Sequence, residues 1–275
     1  MVRDSFERLG LAKHLEQSAL RKLKASDREG AAVDARQARA LACWGTSVDP
    51  GRRDLSPAQR EIAVASSTTE ALALAYGDKK ERGARVATLA KELAKSPELH
   101  PRFAVKAELT ELHIAEMRRD LDRTMKQLWQ LGTQLQSDEW SRTEALRALA
   151  RLIACAVWAE DSESASTAMA EGDRLLAKVN DDDARGSYLI WPAQALMRQD
   201  EFEKADKLLA QALELREGTP RRAMTDLYAG AYFELKRGDQ DTGRELAHKF
   251  LTETVDAGLY QYARVGLETL SPLLR

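Results

Sequence analysis

The side chains able to do chemistry in this sequence are few, and they are scattered. The four histidines, His14, His100, His113 and His248, fall in separate parts of the chain, so no zinc-hydrolase spacing such as His-Glu-x-x-His is present. Glu245 and His248 stand three residues apart, which puts both on one helical face as in a di-iron bundle. Such a centre needs a second Glu-x-x-His, and the sequence has none. Asn180 is followed by Asp181, Asp182 and Asp183, but a calcium loop would alternate its ligands around a glycine and close on a bidentate Glu. These acids are better read as the N-terminal cap of a helix from about Ala184, where carboxylates accept orphan backbone N–H bonds and complement the helix dipole. Cys43 and Cys155 lie in apolar stretches with no histidine beside them, as expected of reduced core thiols rather than nucleophiles. No phosphate-cradling glycine loop and no Gly-x-Ser-x-Gly elbow occurs. The expectation is a protein that is not an enzyme and needs no metal or cofactor.

Charge adds little. The 42 basic and 44 acidic residues leave a net charge of −2, so nothing suggests direct nucleic-acid binding or a membrane surface. Residues 1–126 balance at +5 and residues 127–275 at −7, a mild polarity along the chain. The basic pairs Arg52-Arg53, Lys79-Lys80, Arg118-Arg119 and Arg221-Arg222 have acidic neighbours such as Asp78, Glu116 and Asp226 and read as solvated faces.

The elements that must carry these residues are helices. Ala (44) and Leu (38) far outnumber the sheet-favouring Val (10) and Ile (4). The longest apolar run is the eight residues Leu152 to Ala159, against about 20 for a membrane span, and the opening Met1-Val2-Arg3-Asp4 is not a signal peptide. A soluble, cytoplasmic protein is expected. Ser56-Pro57 with Gln59, Ser96-Pro97-Glu98, Ser137-Asp138-Glu139 and Thr219-Pro220 mark helix starts, since a capping side chain satisfies orphan N–H groups and proline suits the first turn. This punctuation divides the chain into about thirteen helices. An irregular loop occupies about 45–57, and a final unpaired helix about 257–274.

The same short unit recurs along this series. Its clearest copy spans 186–219: small Ala193, bulky Leu196, a turn at Asp200, Phe202, small Ala205, then Leu209, Ala212 and Leu213. This pattern resembles a tetratricopeptide repeat, in which small residues let two helices approach and bulky ones fill the space to the next pair. Equivalent small positions fall at Ala31, Gly83, Thr124, Ser166, Ala205 and Gly243, spaced by 52, 41, 42, 39 and 38 residues, longer than the family's usual repeat of about 34. The resemblance implies an all-α fold, a single right-handed α-solenoid over 1–275 with about six helix pairs and a C-terminal capping helix.

In such arrays the first helices of the pairs line a concave groove that holds a peptide or partner segment. Carried onto this chain, the groove residues are Ile190, Gln194, Met197 and Arg198 of the best repeat and Tyr228, Tyr232 and Lys236 of the next. Arg151 and Trp158 come from the preceding repeat, and His113 from the one before it. Aromatic, Arg and Met side chains are typical of contact surfaces. The resemblance thus implies a non-enzymatic adaptor or scaffold with a protein or peptide partner. The alternative is a ligand- or peptide-sensing domain of a bacterial regulator, in which binding would alter the curvature of the array. Gln194 stands where the carboxylate clamp of chaperone-binding members has Asn, which disfavours a co-chaperone role.

Overall fold

A computed structural model describes residues 2–25, 27–44, 55–77, 79–215, 220–256 and 260–274. The described residues are all-helical, with no strand among them. They form two compact units, Met1–Asp120 and Leu121–Arg275. The first holds α1 (Val2–Lys24), α2 (Arg28–Ala42), α3 (Pro57–Tyr76), α4 (Lys80–Ala94) and α5 (Arg102–Met117). The second holds α6 (Leu121–Gln134), α7 (Glu139–Ala159), α8 (Ser162–Leu176), α9 (Asp182–Arg198), α10 (Phe202–Leu215), α11 (Pro220–Arg237), α12 (Gln240–Asp256) and α13 (Tyr260–Leu270), ending in a 3₁₀ turn over Ser271–Leu273. Thirteen α-helices among the described residues agree with the number expected from punctuation.

Neighbouring helices pack in pairs. In the first unit α1 packs on α2 and α3 on α4, and α3 also touches α1, α2 and α5. In the second unit α9 packs on α10 and α11 on α12, with α7 against α6, α8 and α9 and α13 against α11 and α12.

One local device reverses the chain between paired helices. The residue that opens the second helix sends its N–H back five residues, to a carbonyl near the end of the first helix: Asp27 to Lys22 (2.9 Å), Lys79 to Leu74 (2.8 Å), Asp120 to Ala115 (3.1 Å), Asp161 to Ala156 (2.9 Å), Glu201 to Leu196 (3.0 Å) and Asp239 to Glu234 (2.9 Å). This satisfies a carbonyl the helix end would leave orphaned. Where the residue just before it is described, that residue is left-handed. Arg119 (φ 64°), Glu160 (φ 59°), Asp200 (φ 60°) and Gly238 (φ 92°) hold that place in four of the turns. The carboxylates of Asp27, Asp161 and Asp239 then cap the next helix by accepting from the N–H three residues on, at 2.9, 2.9 and 3.1 Å.

Four residues after each turn comes a buried small side chain. Ala31, Gly83, Thr124, Ala205 and Gly243 are all buried as expected. In α8, however, the buried residue is Ala165, and Ser166 faces solvent. The expected register slips by one because Asp161, the cap, fixes where the helix starts. A second correction concerns Ser96-Pro97: residues 97–101 form turns that bury Leu99, and α5 starts only at Arg102, after Pro101. The starts at Ser56 and Asp138 carry full capping boxes with Gln59 and Ser141, and Asp181 accepts from the Ala184 N–H at 2.7 Å, so the acidic run does cap α9. The irregular loop lies, over 45–54, outside the described residues, as do the ends of the best repeat (216–219) and the start of the last helix (257–259).

Because the buried faces are so rich in alanine, the helices approach closely. A Cβ placed on Gly83 would sit 2.7 Å from the Ala71 carbonyl oxygen of α3, and backbone cannot move aside as a side-chain tip can. Gly83→Ala should therefore destabilise the protein by about 1–3 kcal/mol, whereas Glu160→Gly, which relieves a left-handed non-glycine residue, should stabilise it by about 1 kcal/mol. Thermal or denaturant unfolding of the two variants beside wild type checks both signs.

Candidate functional site

The second unit gathers most of the residues expected to line a groove. They come from α7, α9 and α11. The C-terminal carbonyls of α7 have no intrahelical partners, and Arg198, at the end of α9, donates from Nη1 to the Val157 carbonyl. A guanidinium there also suits the negative end of the α7 dipole. Next to this contact Trp158 of α7 meets Trp191 of α9 edge to face, with centroids 5.6 Å apart and rings at 87°. That arrangement sets the positive edge of one indole against the negative face of the other.

On the α11 side, Tyr228 and Tyr232 lie close enough to Arg198 for its charge to act on both phenols. Tyr228 packs against Phe250 of α12, centroids 5.5 Å apart. Burial pushes its pKa up to about 12, and the Tyr232 phenol adds to the rise. A hydrogen bond with Thr269 and the Arg198 charge pull the other way. Burial also raises Tyr232, with Arg198 opposing and Asp200 reinforcing. Lys236 reaches Asp200 at 3.7 Å.

Two expected surface residues prove to be core. Met197 is 1% exposed and Tyr232 6%, and both belong to the cluster that joins α9 to α13, with Ala193, Leu209, Phe233 and Phe250. One turn of α9 carries Met197 inward and Arg198 outward, so adjacent positions divide between packing and solvent. Ile190, Gln194, Arg151, Trp158, Tyr228 and Lys236 are half-buried, and Arg198 is exposed. Trp191 was absent from the expected set, although its place beside Ile190 was the available signal.

His113 belongs to the first unit, on α5. Its Nε2 lies 2.7 Å from the Tyr76 hydroxyl of α3 and its Nδ1 3.3 Å from the buried Glu116 carboxylate. Since a carboxylate only accepts, Nδ1 carries the proton toward Glu116, and Nε2 accepts from the Tyr76 hydroxyl in the neutral ring. The histidine is a strut between α3 and α5 rather than an open contact. Its spacing from Glu116 was legible; Tyr76, 37 residues away, was not.

The acidic run and the other candidates behave as structural groups. Asp181 and Asp182 pair with Arg147 (3.2 Å) and Arg185 (3.1 Å), Glu245 and His248 are both exposed, and Cys43 and Cys155 are buried. Among the described residues no group of three or more His, Cys, Asp or Glu side chains is placed to hold a metal ion, and no helix is long and apolar enough to cross a membrane. An open cavity of about 380 Å³ lies between α8, α9 and α10, with Leu176, Leu189, Leu215, Arg185, Gln211 and Glu214 in its lining. Its mixed charge selects no evident ligand.

Comparison with known proteins is negative throughout: no family model matches the chain, and no curated protein or solved structure is significantly similar to it.

The raised tyrosine in this site makes stability depend on alkaline pH. With its folded pKa above the ordinary value of about 10, Tyr228 holds its proton longer in the folded state than in the unfolded one. Its contribution is complete below pH about 10 and is lost as pH climbs toward about 12. Melting temperatures measured from pH 9 to about 12 should fall more steeply for wild type than for Tyr228→Phe, which has no phenol to ionise.

Proposed function

We propose that the chain is a tetratricopeptide-like helical array and acts as a non-enzymatic scaffold, holding a peptide or partner segment against the α7, α9 and α11 face. The observation that carries this reading is the continuous set of side chains across three successive first helices: Trp158, Trp191, Ile190, Gln194, Arg198 and Tyr228, all partly or fully open to solvent. Large aromatic area beside guanidinium groups supplies contact energy at little entropic cost, as at many protein interfaces.

The six equivalent turns, followed four residues later by a small buried residue at intervals of 38 to 52 residues, support the repeat reading. So does the packing of α1 on α3, α3 on α5, α7 on α9 and α11 on α13. The partner on this reading carries acidic and apolar groups together, since Arg198 and Lys236 stand against the single Asp200 among the charged groups named on α9 and α11.

The test must alter the face without removing core. Tyr232→Ala would delete a buried ring, and Arg198→Glu would break the contact that ties α9 to α7. Ile190→Ser with Gln194→Glu changes half-buried positions on α9 alone. Capture on immobilised protein from a native lysate, followed by mass spectrometry, should retain a protein on wild type that the double variant loses. Titration of the retained protein should then show a loss of about 1–3 kcal/mol with melting temperature nearly unchanged. Equal retention by both proteins would exclude this face as the binding surface.

A further inference from the structure

Arg198 is an exposed arginine that is nevertheless held in place. It stands at the end of α9 and donates from Nη1 to the Val157 carbonyl of α7, so one corner of the guanidinium is fixed by backbone. A free arginine loses rotamer freedom when it captures an acid, and this anchor reduces that loss. The group still has donors to give, because a guanidinium carries more N–H bonds than one carbonyl can use. No carboxylate among the described residues pairs with it. Asp200, the next acid along the chain, instead meets Lys236 of α11 at 3.7 Å.

Aromatic surface reaches this cation from three helices. Trp191 lies two turns before Arg198 on the same strip of α9, with Gln194 between them. It packs edge to face on Trp158 of α7, the residue after the carbonyl that Arg198 binds. Both indoles are half-buried. From α11, Tyr228 is near enough to feel the Arg198 charge and is half-buried too. A segment that uses the surface of α7 and α9 and also that of α11 passes Arg198 rather than ending there, so it offers a side chain at that point and not a chain end.

Charge complementarity names that side chain. A carboxylate takes two N–H bonds in the plane of a guanidinium, and an indole pair covers large apolar area. We infer that Arg198 is the specificity-determining residue of the α7, α9 and α11 face, binding the side chain of an internal Asp or Glu of the partner segment while Trp158 and Trp191 cover a large apolar residue next to it. This rests on the scaffold reading and narrows its partner to a segment with one acid at one position.

Arrays of short random peptides test it, each acetylated at the N-terminus and carrying either an amidated or a free C-terminus. The full chain is the probe, and retained peptides are then titrated. Wild type should retain amidated peptides in which Asp or Glu adjoins Leu, Ile, Phe or Trp, and exchange of that acid for its amide should weaken binding at least about tenfold. Arg198→Gln, which keeps an N–H donor for the Val157 carbonyl, should bind acid and amide forms within about twofold of each other. Gln194→Glu puts a carboxylate one turn before Arg198, where it can occupy the guanidinium. It should lose the same preference, and this comparison stands if Arg198→Gln does not fold. Equal affinity of wild type for acid and amide forms, an undiminished preference in Arg198→Gln, or retention only of peptides with a free C-terminus would overturn the inference. If peptides without an acid bind wild type and Ile190→Ser loses them, the scaffold reading stands and this inference falls; if no peptide binds wild type, both fall.

Discussion

Helix pairs in this protein depend on a reversal that costs the chain very little. Ending a helix leaves carbonyls without donors, and starting the next leaves N–H groups without acceptors. Here one residue serves both helices: its N–H returns to the carbonyl five residues earlier, and its own carbonyl accepts the first bond of the new helix, as Asp27, Asp161 and Asp239 do for Ala31, Ala165 and Gly243 at 3.0, 3.1 and 3.0 Å. The turn is so short that the second helix must start against the first. The fourth residue of the new helix then faces its partner across a gap with room only for Ala, Gly or Thr. The small residue and the turn are therefore one constraint rather than two.

Close approach at that point settles the division between core and surface on the longer helices. In α9 the face toward α10 takes Ala193 and Met197 into the core, and Leu196 packs partly buried against the same cluster. Pro192, inside the helix, cannot supply an N–H to the Tyr188 carbonyl, and Tyr188 is instead held from the side, its hydroxyl lying 2.9 Å from the Met169 carbonyl and 2.8 Å from Asp173. What remains outward on α9 is the strip through Ile190, Gln194 and Arg198. Trp158 borders it because α7 packs on α9, and Tyr228 of α11 lies within reach of the Arg198 charge. A binding face of this kind is a by-product of pairing, assembled from residues that no single helix needs for its own stability.

The first unit solves a different problem. Its helices bury alanine-rich faces, which cover little apolar area per residue, and its interfaces include ionised groups: Asp34 with Lys22 at 2.8 Å, Glu70 with Arg36 and Arg39, and Lys91 with Glu108 and Glu111. Buried or half-buried pairs of this sort contribute modest net stability but penalise any arrangement that leaves one member alone. They fix the register of α2 on α3.

Much of the fold was legible in the sequence, and the reason is local. Helix number, the caps at Ser56, Asp138 and Asp181, and the small positions at Ala31, Gly83, Thr124, Ala205 and Gly243 follow from propensity, capping chemistry and periodicity over a few residues, so the chain determines them without reference to distant contacts. The slips were those of one residue or one turn. Ser166 stands one residue from the buried Ala165, and Pro97 about one turn before Pro101, which precedes α5, because short-range signals tolerate such shifts while packing does not. The site was less legible. Periodicity placed Arg198, Gln194 and Ile190 on one strip, but it could not say that Met197 and Tyr232 turn inward, that Trp191 meets Trp158, or that His113 is held between Tyr76 and Glu116. Those facts depend on how far apart two helices lie and which way each is rotated. Only the packing of the whole unit decides that, because a rotation of a few tens of degrees exchanges a buried side chain for an exposed one at no cost the sequence pattern can register.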